Sequence, residues 1–350
     1  MERKIRGTKI MCIAVALLFV GGASLTAISQ GETIGQVDKT ETAEMCIQTH
    51  VSTIYRGKNG VADVYIDVHA FNEKGQSISE PPQPEKITIT FISEDKKVEA
   101  LDFQQVKMHD NTIHIHLVDT PNCDRAAVTS LYPGKESNAR VRIETLPSPT
   151  KVIQAETIAS HTETGVSPLF LWYNCVPPFP DASSSESGNA DAHADKSSGD
   201  GGVDAWGSWN SGGVATSMMY NCDRDTAIQG MNGLGSWSAG ITIKNGASAI
   251  GGGVYPIGYA YYYIFEYDQD GDFVQGRRTT MWSISGAHSD IDADITGNNS
   301  VNWNGNHMYR GRIETEAYCP QPLSVGAPFI DLGEDYGDID FEYINWFWFG

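Results

Sequence analysis

The sequence predicts an all-β protein of two β-sandwich domains, the first Ig-like and the second a sandwich or jelly-roll-like, joined by a Ser/Gly/Asp-rich linker. Three observations carry this. Several stretches alternate apolar and polar residues with period two, the pattern of half-buried strands. The chain holds 36 Gly and 15 Pro, many in turn-forming clusters. It is 10% aromatic, a composition that favours strands. Its 350 residues are a prior for about two domains, and a 40% hydrophobic content is too high for a wholly disordered acidic chain. Lys and Arg number 24 against 44 Asp and Glu, a net charge of −20. That balance argues against nucleic acid as a partner, because phosphate binding needs clustered cations.

The elements follow in chain order. Residues 1–29 have the three parts of a secretory signal: Arg3, Lys4, Arg6 and Lys9 against Glu2, an apolar run from Ile10 to Val20, and small residues up to Ser29. The rival reading is an uncleaved anchor, since Ile10 to Ile28 is just long enough to span a bilayer. Membrane contact would then run through this segment alone, and its basic head would stay cytoplasmic. Both readings place the protein outside the cell or in the envelope. Cys12 sits too early in the apolar run for lipid attachment. Residues 30–44 are polar and read as a flexible lead.

Residues 45–150 read as the first sandwich. Val64, Ile66 and Val68 alternate with Asp63, Tyr65, Asp67 and His69. Ile87, Ile89 and Phe91, then Ile113, Ile115 and Leu117, then Val141 and Ile143 repeat the pattern, with turn clusters at Arg56 to Gly60 and Asn72 to Gly75. The run from Gly60 to Ile78, followed by Ile87-Thr-Ile-Thr-Phe91, resembles the Ig-like modules of prokaryotic cell-surface adhesins of the invasin type. The likeness covers residues 45–146. It implies a spacer or binding module at a cell surface and names no ligand. Those adhesins carry the module in tandem, and no second copy is found here.

Residues 151–175 form an uncertain connection. Residues 176–203, rich in Ser, Gly and Asp, read as a disordered acidic linker. Residues 204–350 read as a Gly- and aromatic-rich β domain, with strands at Tyr259 to Tyr267, Arg277 to Ser285, Met308 to Tyr318 and Ile339 to Phe349. Val214 to Met231 is the one helix candidate. After Ser29 come Cys46, Cys123, Cys175, Cys222 and Cys319, none in a C-x-x-C pair. In an oxidising compartment disulfides are the default. A preference for short-range pairs selects Cys46–Cys123 and Cys222–Cys319, leaving Cys175 odd. Other pairings, Cys175–Cys222 among them, stay open.

Several groups are candidates for chemistry. Asp268, Asp270 and Asp272 beside Gly271 can wrap Ca²⁺, although Phe273 and Thr279 exclude an EF-hand; the alternative is a plain hairpin turn. The acids of Asp290 to Asp294 and Glu334 to Asp338 read as solvated faces. Glu314 and Glu316 invite a glycosidase reading, yet with Arg310 and Arg312 they read better as an exposed, salt-bridged sheet face. His114 and His116 are half of a metal site or, more simply, solvent-facing. No His-Glu-x-x-His, Gly-x-Ser-x-Gly or phosphate-binding loop occurs. Trp346 and Trp348 belong to a strand that closes the core, stacks on sugars or adds to a neighbour's sheet.

The expected function is therefore an exported, non-enzymatic protein of adhesion, surface display or assembly, with Ca²⁺ as a stabilising ion and a cell-surface protein or glycan as partner. The alternative is a secreted carbohydrate-binding or glycan-cleaving protein acting through its second domain.

Overall fold

The computed structural model describes residues 45–72, 76–94, 96–155, 169–208, 211–249, 255–320 and 333–349. The predicted export segment and lead, residues 1–44, lie outside the described residues.

The period-two stretches of the first part become strands β1 (Cys46–Val51), β2 (Ile54–Arg56), β3 (Ala62–Phe71), β4 (Ser77–Ile78), β5 (Lys86–Ser93), β6 (Lys96–Gln104), β7 (Met108–His109), β8 (Thr112–Leu117), β9 (Arg125–Tyr132) and β10 (Lys135–Thr145). They hydrogen-bond in the order β6-β5-β9-β10-β2-β3-β8-β7, with β1 and β4 also on β3. Strand β10 makes this one path into two layers. It runs antiparallel to β9 as far as Arg142, then parallel to β2 from Ile143 onward. A first layer, β6-β5-β9-β10, therefore faces a second built on β2, β3 and β8. Val64, Ile66 and Val68 fill the space between them with Ile87, Ile89, Phe91, Val128 and Val141. Each such side chain contributes about 1.5–3 kcal/mol relative to exposure.

The second part forms β11 (Lys151–Gln154), β12 (Leu169–Cys175), β13 (Asp181–Gly188), β14 (Ala190–Asp195), β15 (Asp200–Gly207), β16 (Gly213–Tyr220), β17 (Thr226–Gln229), β18 (Gly233–Ala249), β19 (Ile257–Tyr267), β20 (Phe273–Ser285), β21 (His288–Trp303), β22 (Met308–Cys319) and β23 (Gly333–Phe349). A third layer runs β11-β17-β22-β16-β13, with β19 on β22 and β20 on β19. A fourth runs β14-β15-β23-β18-β21, with β12 on β23. Between them Trp237, Ile241, Ile344 and Trp346 meet Met219, Tyr262, Ile264 and Ile313.

The third layer is covered on both sides. One face of β19 (Ala260, Tyr262, Ile264) joins the core against the fourth layer. The other (Tyr259, Tyr261, Tyr263, Phe265, Tyr267) packs with Tyr55 and Tyr65 of the second layer. All of β19 is buried as a result. The described residues form a stack of four β layers.

The all-β class is what forms, and three narrower expectations do not hold. Residues 176–203 are not a free linker, because β13, β14 and the start of β15 run through them. Strand β13 pairs with β16, and β14 pairs with β15. Small residues fit there: a Cβ on Gly188, whose φ is +72°, would run into the Gly212 carbonyl. The helix candidate Val214 to Met231 is strands β16 and β17, with β16 closed on both edges by β13 and β22. The cysteine pairs also fail. Cys46, Cys123, Cys175, Cys222 and Cys319 are all free: Cys123 lies in the core of the first sandwich, Cys175 and Cys319 in that of the second, and the Cys175 and Cys222 thiols turn to the Tyr220 and Thr226 carbonyls.

Candidate functional site

The first candidate is the seam between the second and third layers. In strand β22 the residues Arg310, Arg312, Glu314 and Glu316 share one face, as their spacing requires. That face is buried, not solvent-exposed, because a second charged and aromatic surface lies over it. Tyr55 donates its hydroxyl to Glu314 Oε2 at 2.8 Å. Arg312 Nη2 lies 2.8 Å from the same oxygen, and its guanidinium sits 4.0 Å over the Tyr55 ring. Burial drives the Glu314 carboxyl up to about 7, with Arg312 opposing and Glu316 adding to the rise.

Farther along, Arg278 of β20 grips Asp67 of β3 with both ends of its fork, Nη1 to Oδ2 at 2.7 Å and Nη2 to Oδ1 at 2.5 Å. The same guanidinium stacks over Tyr65 and Tyr261, 4.8 and 4.4 Å from the ring centres. Burial alone would raise Asp67, but Arg278 and His50 hold it well below the usual carboxylate range. His50 bridges the two halves, with Nε2 2.6 Å from Glu316 Oε1 and Nδ1 3.5 Å from Asp67 Oδ2. Burial pulls its pKa down, and the Glu316 charge with the Asp67 and Glu316 hydrogen bonds outweighs that, leaving it near 9. Asp63 serves the seam twice. Its Oδ2 accepts the Gly276 amide, and its Oδ1 lies 2.7 and 3.0 Å from His114 and His116. Those two histidines are thus half-exposed flanks of a carboxylate.

The seam has the ingredients of a catalytic site, including a carboxyl near neutrality, and it is sealed. Glu314 and Arg312 are 0% exposed. What the arrangement does is join the layers. A two-carboxylate reaction on Glu314 and Glu316 has no room for a sugar ring between Tyr55 and β22.

The second candidate is the outer face of the fourth layer. Inward residues such as Ile339, Phe341, Ile241 and Ile243 are buried, so their neighbours point out. Read across five strands, one row is Asp195, Asp200, Asp340, Thr242 and Asp294. The next is His193, Gly202, Asp338, Lys244 and Asp292. A third holds Asp191, Asp204 and Tyr336, whose hydroxyl donates to Asp290. Glu334 and Glu342 extend the face. Lys244 is the one Lys or Arg on these rows. The Thr242 hydroxyl is shared by Asp294 and Glu342, at 2.9 and 2.8 Å. Like charges directly opposite one another destabilise a sheet, and Asp195–Asp200–Asp340 is three in line. Burial first, then the Glu334 and Asp191 charges, push Asp204 up to about 6.

The other predicted residues fall as follows. Asp268 Oδ1 accepts the amides of Asp270 and Asp272, which closes a hairpin turn between β19 and β20. No group of three or more potential metal ligands occurs among the described residues. Trp346 is not a sugar platform: it is 0% exposed, stacks on Trp303 with ring centres 5.2 Å apart and donates its indole N–H to Tyr262. Trp348 is half-buried against the same core and donates to the Asn232 carbonyl. The sequence reading overlooked the acidic face as one object. The signal was present in Ala190, Ala192 and Ala194 alternating with Asp191, His193 and Asp195.

No protein-family model matches the chain, and no curated protein matches it. Among solved structures, tailspike protein 4 of bacteriophage CBA120 is 13% identical over 46% of this chain and 19% of its own, with a TM-score of 0.22. A tandem of titin Ig domains is 9% identical, covering 53% of this chain and 98% of its own at a TM-score of 0.19. The VP2 subviral particle of infectious bursal disease virus is 11% identical, covering 88% of this chain and 76% of its own at 0.23. Likenesses at these TM-scores carry no argument about activity.

Proposed function

We propose that this is an exported, non-enzymatic protein of surface adhesion, display or assembly, and that it meets a cationic partner surface through the outer face of its fourth layer. The observation that carries the reading is the row Asp195, Asp200, Asp340 and Asp294 with its flanking acids, displayed on a rigid sheet on whose described rows Lys244 is the one Lys or Arg. Carboxylates aligned in this way raise the local concentration of a cationic surface and steer its approach. The basic, then apolar start of the chain supports export. The likeness of residues 45–146 to adhesin modules supports a place at the cell surface.

The test is binding of the purified protein to a polylysine-coated surface and to a neutral one, across a salt series. The expected result is salt-sensitive binding to polylysine that weakens by about three-fold to a hundredfold in an Asp200→Asn, Asp294→Asn, Asp340→Asn variant, as exposed ion pairs are worth about 0.2–1 kcal/mol each. Equal binding to both surfaces, or a variant that binds like the wild type, would sink the reading.

A further inference from the structure

The two ends of the four-layer stack differ in charge: one displays rows of acids, the other a row of cations with the acids Asp102, Asp124, Glu136 and Glu144 around it. At the far end from the acidic face lies the outer face of the first layer, whose inward residues Ile87, Ile89 and Phe91 belong to the first core. Across its strands the register aligns Lys97, Ile92, Arg125 and Arg142 in one row. The neighbouring row carries Arg140. Arg125 and Arg142 are half-exposed and have local carboxylates, Asp124 at 3.2 Å and Glu144 at 3.6 Å. Lys86 is matched by Asp102 at 2.9 Å. Even so, the Arg125–Arg142 pair sets like charges directly opposite, the same unfavourable arrangement as at the other end with the sign inverted.

Either end alone is an ordinary charged face in water. Together they are complementary surfaces on opposite sides of one molecule. We infer that the occupant of the acidic face is a second copy of this chain, which presents its Lys97–Arg125–Arg142 face, so that molecules associate head to tail. This rests on the reading of the acidic face as a contact surface and names its partner. Because the two faces of each contact differ, the association is heterologous: every added copy leaves one acidic and one basic face open, and the chain of copies extends without closing.

Magnitudes set the conditions. The chain's net charge is −20, so two copies repel at long range. With a Debye length of about 30 Å at 0.01 M salt that repulsion spans the stack. At about 0.1 M it shrinks to about 10 Å, and the facing rows dominate. At 1 M the rows are screened as well. Association is therefore greatest at intermediate salt. Five strands about 4.8 Å apart and about five residues of 3.3 Å give a face of roughly 400 Å² per copy. Two such faces bury about 800 Å² in all, below the range of stable specific interfaces and in that of weak, transient contacts, so assembly needs high local concentration, as on a crowded surface.

The experiment is sedimentation velocity of the purified protein over a concentration series at about 0.01, 0.1 and 1 M NaCl. Two variants accompany it: Asp294→Lys with Asp340→Lys at the acidic end, and Arg125→Glu with Arg142→Glu at the basic end. The wild type is expected to form a ladder of growing species at about 0.1 M that collapses to monomer at 1 M. Each variant alone is expected to stay monomeric. In an equal mixture the basic end of one variant meets the acidic end of the other, and the two reversed ends are again of opposite charge, so association is expected to return, with a one-to-one dimer as its first species. A wild type monomeric at every salt, a variant that assembles like the wild type, or a mixture without dimer would each overturn the inference. If a reversal variant fails to fold, the neutral Asp→Asn and Arg→Gln versions at the same positions are each expected to stay monomeric alone and to stop at a one-to-one dimer when mixed. A wild type that stays monomeric yet binds polylysine in a salt-sensitive way leaves the adhesion reading standing and removes only self-assembly.

Discussion

At the residue scale, the acids buried in the seam and Asp335 of β23, which is buried against Asn245 of β18, make stability depend on pH with a definite sign. Burial raises Glu314 to about 7 and Asp335 to about 8, from ordinary values of 4.5 and 3.8. Between those limits the folded state holds protons that the unfolded chain has lost, so stability falls as pH rises, by at most about 1.4 kcal/mol per pH unit for each group. His50, raised from 6.5 to about 9, works in the same direction. Its contribution is whole below 6.5 and is lost as pH climbs through 9. Asp67 is depressed, so its contribution is present above 3.8 and fades in acid. Melting temperature should be highest near pH 4–5 and drop by pH 8. An Asp335→Asn variant should flatten the drop, and an unchanged slope would contradict the assignment. Arg278→Ala strands the buried Asp67 charge and should cost about 3–5 kcal/mol in denaturant unfolding. Adding Asp67→Leu to it should recover part of that loss. The sequence showed that Arg310, Arg312, Glu314 and Glu316 share a face. It did not show that the face is buried, because its cover comes from Tyr55, His50 and Asp67, roughly 250 residues earlier in the chain.

At the scale of elements, alternation decided what could be read. Where apolar residues are large, as in β3, β5 and β8, the strands were plain and their inward faces correct. Strands β13 and β14 were missed because their inward residues are Ala and Ser, so composition spoke for a linker while period two spoke for strands. Their backbone is committed: Ala192 pairs with Val203, Ser184 with Ser217, and the turn between them needs glycine at position 188. Limited proteolysis should therefore leave residues 181–195 uncut under native conditions. A first cleavage there, ahead of any other site, would show that the segment is a free tether after all.

At the scale of the whole molecule, the fold class was legible and the stacking was not. Two sandwiches in sequence suggest two bodies on a hinge. The tyrosine-rich face of β19 and the charged face of β22 instead join them through a third core. That joint holds the acidic face and the basic face in fixed opposition, on which the proposed function and its extension both depend. The chain's tryptophans allow a direct test, since all 8 lie at or beyond residue 172, outside the first sandwich. Cys123 is buried in the core of the first sandwich. Equilibrium denaturation followed by tryptophan fluorescence reports the third and fourth layers, and labelling of the Cys123 thiol, read by mass spectrometry, reports the first and second. A single body predicts one shared midpoint for both signals. Labelling of Cys123 at a denaturant concentration where the tryptophan signal is still native would show two independent domains and contradict the account.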